Sequence, residues 1–236
     1  MNWLTLLVPM SAALIAGDAR GQGQPSDSRI AIVESSLDQE PASLVRRCDS
    51  IRALLGEYRH TGKPALFVRA ERLIAAALAQ DSEYFEAKKM QAWALLLGGK
   101  TEQGLTAALA LNKKMPDDVE VYGYLVDAYS ALGKLEQAEE QANWMLRLRA
   151  ENTETLRRVA ELRERFGDTE GAVLAWNDLY RRIPETLGRD RAYVLARVAM
   201  AMKKTNPKRA KVVAAESLRM APDSMMAKKA VAEVSE

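Results

Sequence analysis

His60 is the only histidine in the 236-residue chain and Cys48 the only cysteine. The residue types that most often carry acid–base, nucleophilic and metal chemistry therefore occur once each. Together they fall short of the ligand set a zinc site requires. A Ser–His or Cys–His relay would have to be built around His60, yet no nucleophile-elbow sequence is present. His60 stands just before "TGKP", at an expected helix end where a polar ring meets free carbonyls. The stretch "LLLGGKTEQG" sets Gly, Lys and Thr in phosphate-loop order. It lacks the spaced first glycine and the preceding strand that such a loop needs, and reads as a helix turn. The pair Glu139–Glu140 falls on an expected solvated helix face. The chain is read as non-enzymatic, with no cofactor and no metal. A lone cysteine permits no intramolecular disulfide. "VRRC" places arginines where a lipidation site needs small and aliphatic residues. Cys48 reads as a small core residue, with an interchain disulfide or a reactive thiol as the alternatives.

The elements that would position any site are helices. Apolar residues make up 48%, charged residues 28% and aromatics only 6%. Ala and Leu dominate, and both lose little freedom in a helix. No alternating Val/Ile/Thr run argues for strands, so the fold class is all-α. The net charge of +2 hides an uneven layout, with balances of +1, −6 and +7 over residues 1–80, 81–180 and 181–236. These blocks read as solvated helix faces, or as ends with different partners.

The chain opens on an apolar stretch from Trp3 to Ala16, interrupted by Pro9. As a helix it would rise about 21 Å, short of a hydrocarbon core of roughly 30 Å. Residues 1–19 read as a cleavable export signal ending at Ala16 or Ala19, which implies a bacterial periplasmic location. The lack of Lys or Arg before the apolar stretch counts against this, and an N-terminal helix packed on the domain is the alternative. Residues 20–42 read as a polar flexible linker. Within it "RIAIVESSL" (29–37) is an extra helix, a swapped arm or disorder.

The strongest signal is periodic. Gly99, Gly133 and Gly167 lie 34 residues apart. Five residues after each comes a small one: Gly104, Ala138 and Ala172. Ala108, Ala142 and Trp176 follow, then Leu111, Met145 and Leu179. Pro116 and Pro184 stand two periods apart, with Ala150 between them in the proline's place. The residues before each glycine form one helix, with Leu125, Val126 and Tyr129 on its apolar face. The glycine permits the left-handed turn that ends it. A second helix follows, its small residue allows close approach, and the proline marks the break. One such pair cannot bury its own apolar face, so stacking supplies the core.

This unit resembles the tetratricopeptide repeat (TPR), a helix–turn–helix of the same period. Copies 119–152 and 153–186 carry it through Tyr122, Leu125, Tyr129, Gly133 and Ala138, and through Ala172, Trp176, Leu179 and Pro184. Copy 85–118 matches at Ala92, Leu95, Gly99, Ala108, Leu111 and Pro116. It departs by placing Lys88 and Gln91 where large apolar residues are usual. An upstream pair spans 43–84, with Ala70, Ile74 and Ala77 in register and "HTGKP" as its turn. A further copy, 190–222, is delayed by "ETLGRD" and turns through "MKKTNPKRA". Residues 223–236 read as a capping helix that keeps the last apolar face out of water. The resemblance implies a right-handed α-solenoid of about five helix pairs.

In TPR proteins the first helix of each pair lines a concave face that commonly holds a partner segment. By register this assigns Lys89, Trp93 and Leu97, then Gly123, Asp127 and Ser130, then Arg157, Glu161 and Arg165 to the groove. The copy at 190 would add Leu195, Ala199 and Met202. Trp93 is either an anchor or packing. Arg157, Glu161 and Arg165 are spaced to pair with one another, and Gly123 either admits a ligand backbone or loosens the helix. Asp127 and Glu161 stand where a carboxylate clamp would use Asn, which argues against a chaperone-tail receptor. The resemblance thus implies a non-catalytic protein-interaction scaffold whose partner is an extended or amphipathic segment. Exported proteins of this kind suggest a secretion, pilus or polysaccharide assembly of the bacterial envelope. The alternative is polyanion binding, to nucleic acid or an anionic membrane surface, through Lys203, Lys204, Lys208, Arg209 and Lys211. Nucleic acid is the weaker expectation, and peripheral membrane contact and self-association are both open.

Overall fold

A computed structural model describes residues 43–235, and the expected signal (1–19), linker (20–42) and segment 29–37 lie outside them. Eleven helices and no strand occur among the described residues. They are α1 (Leu44–Thr61), α2 (Pro64–Gln80), α3 (Phe85–Leu97), α4 (Thr101–Lys114), α5 (Val119–Ala131) and α6 (Leu135–Arg149). Then follow α7 (Thr153–Arg165), α8 (Thr169–Arg182), α9 (Gly188–Met202), α10 (Pro207–Met220) and α11 (Met225–Ser235). Each odd-numbered helix up to α9 packs antiparallel on its successor, and each pair stacks on the next. Helix α1 also touches α3, α3 touches α5, and α5 touches α7. The even-numbered helices do not pack on one another in this way, so the odd helices line the inside of a curved stack. The fold is an all-α solenoid.

Local chemistry sets the helix ends. Gly99, Gly133 and Gly167 adopt φ of 75°, 72° and 78°, a region L side chains rarely enter. Asp118 and Asn152 cap α5 and α7 by accepting hydrogen bonds from Glu120 N and Val121 N, and from Glu154 N and Thr155 N. The turn before α10 has no glycine. There Asn206 accepts from Arg209 N at 3.1 Å and Pro207 opens the helix, whose missing N–H costs nothing at that position.

Apolar clusters bind neighbouring pairs. Ala108, Ala138 and Ala142 let helices approach closely around Leu111, Leu125 and Met145. Trp176, wholly buried, fills the next layer with Leu179, Ile183 and Val194. Helix α11 sets Ala230 and Val234 against Ala196 and Ala199 of α9. Between α2 and α3 the packing is thinner. Gln91, exposed where a large apolar residue is usual, leaves an apolar notch of about 280 Å³ floored by Phe67, Ile74, Leu78 and Ala94. Cys48 is buried beside Ala77 and Ala87, and burial, with Glu86 nearby, pushes its thiol pKa up. That environment suits packing rather than nucleophilic attack.

Candidate partner-binding lumen

The inner face is organised by a second periodic feature. Glu86, Glu120 and Glu154 recur every 34 residues in the first turns of α3, α5 and α7, and Asp190 holds the equivalent place in α9. Each carboxylate favours its own helix N-terminus. Helix α1 crosses all four ends. Its Arg52 pairs with Glu86 at 3.3 Å and also with Glu120. Arg59 lies 3.7 Å from Glu154, and His60 Nε2 lies 3.5 Å from Asp190 Oδ1. Glu57 pairs with Arg189, which also binds Asp223. Just past α1, Gly62 leaves room for Met225 of α11: a Cβ there would strike the Met225 sulfur. The first helix therefore reaches the last two pairs, and the solenoid closes on itself along this edge.

The residues expected to face a ligand are largely engaged with one another. Lys89, 5% exposed, donates to Asp118 at 2.9 Å and pairs with Glu86 and Glu120 at 3.1 and 2.8 Å. Trp93 lies half-buried between the α1–α3 and α3–α7 clusters, and Leu97 packs on the first of these. Gly123 is buried and does not admit a ligand backbone, because the Arg158 guanidinium fills the space above it. Arg158 Nε donates to Gly123 O at 2.9 Å, and the same group forks onto Asp127 at 3.0 and 2.7 Å. Arg157 donates to both Glu161 oxygens at 2.8 Å and to Glu154 at 3.1 Å. Arg165 donates to Ser130 O at 2.9 Å.

Two assignments need correction. Met202 packs between the α7–α9 and α9–α11 clusters and Ala199 is wholly buried, so neither faces the lumen. Helix α9 begins at Gly188, which rotates its inner face onto Tyr193 and Arg197. Tyr193 donates to Glu161 at 2.9 Å, and Arg197 pairs with Glu164. The lumen therefore ends polar rather than apolar. His60, for its part, does not cap α1: its ring meets Asp190 and stands edge-on to Tyr193, with centroids 6.3 Å apart.

Missed by sequence reasoning were Arg158 and the ladder of acids. The 34-residue recurrence of Glu86, Glu120 and Glu154 was available as a signal. The partner of that ladder, a stripe of Arg52, Arg59 and His60 on α1, was not expected to cross the array.

Electrostatics within the lumen follow from this pairing. Burial opposes the Lys89 ammonium, but hydrogen bonds from Lys89 to Glu120 and Asp118 outweigh it and hold its pKa above the usual lysine value. Glu154 is likewise opposed by burial, yet Arg157, Arg158 and Arg59 hold its carboxyl well below the ordinary range. Glu120 and Glu161 shift downward for the same reason, against the same desolvation. Burial and the neighbouring Glu161 push the Tyr193 phenol up to about 12. These charged groups pair largely with one another. No group of three or more metal-ligating side chains is poised for an ion among the described residues, and none of their helices is long and apolar enough to cross a membrane.

Two cavities remain in the lumen. One of about 410 Å³ lies beneath α1, lined by Trp93, Val119, Tyr124 and Met145 with Arg52, Arg59 and Arg158 at its polar side. A second of about 210 Å³ has Leu179, Ile183, Leu187 and Val194 as its floor and Arg59, His60 and Asp190 at its rim. Arg59 and Glu154 line both and form the partition. At the far end of the solenoid, Lys203, Lys204, Lys208 and Lys211 make no ion pair among the described residues, and no carboxylate occurs between Asp190 and Glu216 in sequence. Arg209 is exposed beside them.

No protein-family model matches the chain, and no curated protein matches it. Solved structures do. The chain is similar to TTC0263, a thermophilic TPR protein of Thermus thermophilus, with a TM-score of 0.66 at 18% identity, covering 81% of this chain and 98% of that one. It is also similar to a chain of the APC/C hetero-tetramer Cut9–Hcn1, with a TM-score of 0.55 at 15% identity, covering 89% of this chain and 46% of that one. At such identities the likeness establishes the fold: the chain folds as a TPR solenoid.

Proposed function

We propose that this protein is a non-catalytic scaffold that holds a segment of a partner protein in its lumen. The observation that carries the reading is the 410 Å³ cavity beneath α1. It combines an aromatic and aliphatic wall (Trp93, Tyr124, Met145) with convergent charged groups, the make-up of a recognition pocket. Its size suits one or two apolar side chains rather than a whole helix. The apolar N-terminal stretch supports export, and with it a place in a bacterial envelope assembly such as a secretion, pilus or polysaccharide machine.

Arg59 is the most informative probe. It lines both cavities and makes a single ion pair of 3.7 Å, whereas Arg157 is held by two carboxylates and its loss would disturb the wall itself. Residues 20–236 are used as bait, with capture by wild type, Arg59→Ala and Leu174→Ser compared. Leu174 lies on the outer helix α8 and is 69% exposed. A partner whose capture changes with Arg59→Ala, in either direction, and is unaffected by Leu174→Ser supports luminal binding. The reverse pattern overturns it.

A second reading rests on the lysines at 203, 204, 208 and 211. A basic cluster with no carboxylate between Asp190 and Glu216 in sequence fits an anionic surface. It predicts binding that survives Arg59→Ala and falls steeply as salt rises.

A further inference from the structure

The two ends of the solenoid are joined differently from its layers. Successive pairs are held by apolar clusters that include wholly buried Ile51, Leu54, Leu55, Tyr124, Trp176 and Val194. The seam between α1 and the last pairs is polar. It consists of Glu57–Arg189–Asp223, Arg59–Glu154 and His60–Asp190, with the edge-on His60–Tyr193 rings and Met225 over Gly62 beside them. Met225 is 46% exposed; the Glu154, Asp190 and Asp223 side chains are 46%, 44% and 29% exposed, and their partners Arg59, His60, Arg189 and Glu57 are 29%, 15%, 15% and 21% exposed. Partly solvated ion pairs contribute little and are screened by salt, whereas apolar burial is not. The seam is thus the junction of the ring that rests most on ion pairs and least on apolar burial, and so the one most sensitive to salt.

Helix α1 is built for this double duty. Its first three turns anchor it through Cys48, Ile51, Leu54 and Leu55. Its last turn carries the charges, and all of them reach partners between about 95 and 132 residues away in sequence, far beyond the three- and four-residue spacing of pairs within one helix. None of these pairs is needed to complete the α1–α2 hairpin. Arg59, one of the fastening residues, is also the wall between the two cavities.

We propose that Glu57, Arg59 and His60 form a clasp with Arg189, Asp190, Asp223 and Glu154 that closes the solenoid into a ring, and that opening this clasp admits the partner segment to the lumen. The closure stands independently of the proposed function; the gating rests on it. The separation of the ends can be measured with no partner present, so failure of one is distinguishable from failure of the other.

Spin labels at Ala65→Cys and Lys228→Cys, both exposed positions on the two sides of the seam, are placed in a Cys48→Ala background of the full chain. Pulsed dipolar spectroscopy then reads the distance. Wild type at low salt is expected to give one short population. Glu57→Arg, which sets two cations against each other, is expected to shift it to longer distances with unchanged far-UV circular dichroism. Salt of about 1 M, where screening acts over ~3 Å, should shift wild type the same way. The triple variant Glu57→Arg/Arg189→Glu/Asp223→Asn restores the pair with reversed signs and should return the short distance. A long distance in wild type overturns the clasp. So does a distance that ignores both Glu57→Arg and salt, or one that stays long in the triple variant. If the clasp holds but Glu57→Arg captures no more partner than wild type, gating is overturned and closure stands.

Discussion

Gly123→Ala tests whether the inner face is a filled wall or an open platform. In a helix interior, alanine in place of glycine is worth about 1 kcal/mol of added stability. An open surface at Gly123 would show that gain. The structure predicts the opposite sign. A Cβ at Gly123 would lie 2.7 Å from Arg158 Cζ and 3.0 Å from its Nε and Nη1, well inside the ~3.5–4.0 Å of ordinary contact. The guanidinium is 6% exposed and tied to Gly123 O and Asp127, so it cannot retreat without lengthening those bonds. A hydrogen bond from a charged group contributes roughly 1.5–3 kcal/mol. Losing that to Gly123 O and straining the Asp127 fork costs about 2–3 kcal/mol, with some recovery by water because Asp127 is 29% exposed. Set against the helix gain, the net is about 1–2 kcal/mol of destabilisation, or a fall of roughly 2–8 °C in Tm for a chain of this size. Urea unfolding followed by circular dichroism measures it in wild type and in an Arg158→Ala background, where the obstruction is gone and alanine should stabilise. A neutral or stabilising Gly123→Ala in wild type would refute the packing argument. An equal cost in both backgrounds would show that Arg158 is not its cause.

Two further outcomes follow from the same geometry. Glu120, Glu154 and Glu161 have folded pKa values below their ordinary one, so the unfolded chain takes up their protons first as pH falls. Their contribution is complete above the unfolded value of about 4.3 and is lost on acidification toward the folded values. The urea midpoint should be level from neutral pH to about 5.5 and decline below about 4.5. Tyr193, raised to about 12, adds an alkaline decline beginning near the unfolded tyrosine value of about 10. A midpoint insensitive to acid would sink the buried-network reading. Gln91→Leu, which fills the notch against Phe67, Ile74 and Leu78, should raise stability by about 0.5–1.5 kcal/mol. An unchanged or lower urea midpoint would mean the notch is not an apolar packing defect.

Much of the solenoid was legible because its determinants are local. The 34-residue recurrence of Gly99, Gly133 and Gly167 marks a backbone conformation only glycine adopts readily. The small residues Gly104, Ala138 and Ala172 mark close helix contacts, and both series leave a periodic trace whatever the surroundings. Which side chains face a ligand was less legible, because that depends on what else reaches the lumen. Register alone placed Gly123 on the inner face, but it carried no sign that Arg158, 35 residues on, would lie over it. The short irregular stretch "ETLGRD" was enough to turn α9, replacing Met202 with Tyr193 and Arg197 on the inner face. The crossing of α1 depends on the accumulated curvature of five pairs. No spacing in the chain states that quantity, although the acids it would meet were visible at 86, 120 and 154.

Under the proposed function, that crossing would constrain how a partner binds. The charges of the wall already have counter-charges, and replacing one ion pair by another gains little once both sets are desolvated. Acidic or basic side chains of a ligand therefore direct and select more than they hold. What remains for affinity is apolar burial in the two cavities. One fully buried Leu or Phe anchor contributes roughly 1.5–3 kcal/mol, against about 8 kcal/mol for micromolar binding. One such anchor in each cavity still leaves a shortfall, before the cost of ordering the segment. Backbone hydrogen bonds and further burial would have to supply the difference. The partition between the cavities, Arg59 on Glu154, stands where a continuous segment would pass. Micromolar or tighter recognition in this lumen thus requires that partition to move, whereas with it in place the cavities can take single side chains, weakly and in rapid exchange. Measured affinity therefore reports on the state of α1: a partner that binds tightly does so to a lumen whose last α1 turn has shifted, and one that binds with α1 in place binds weakly.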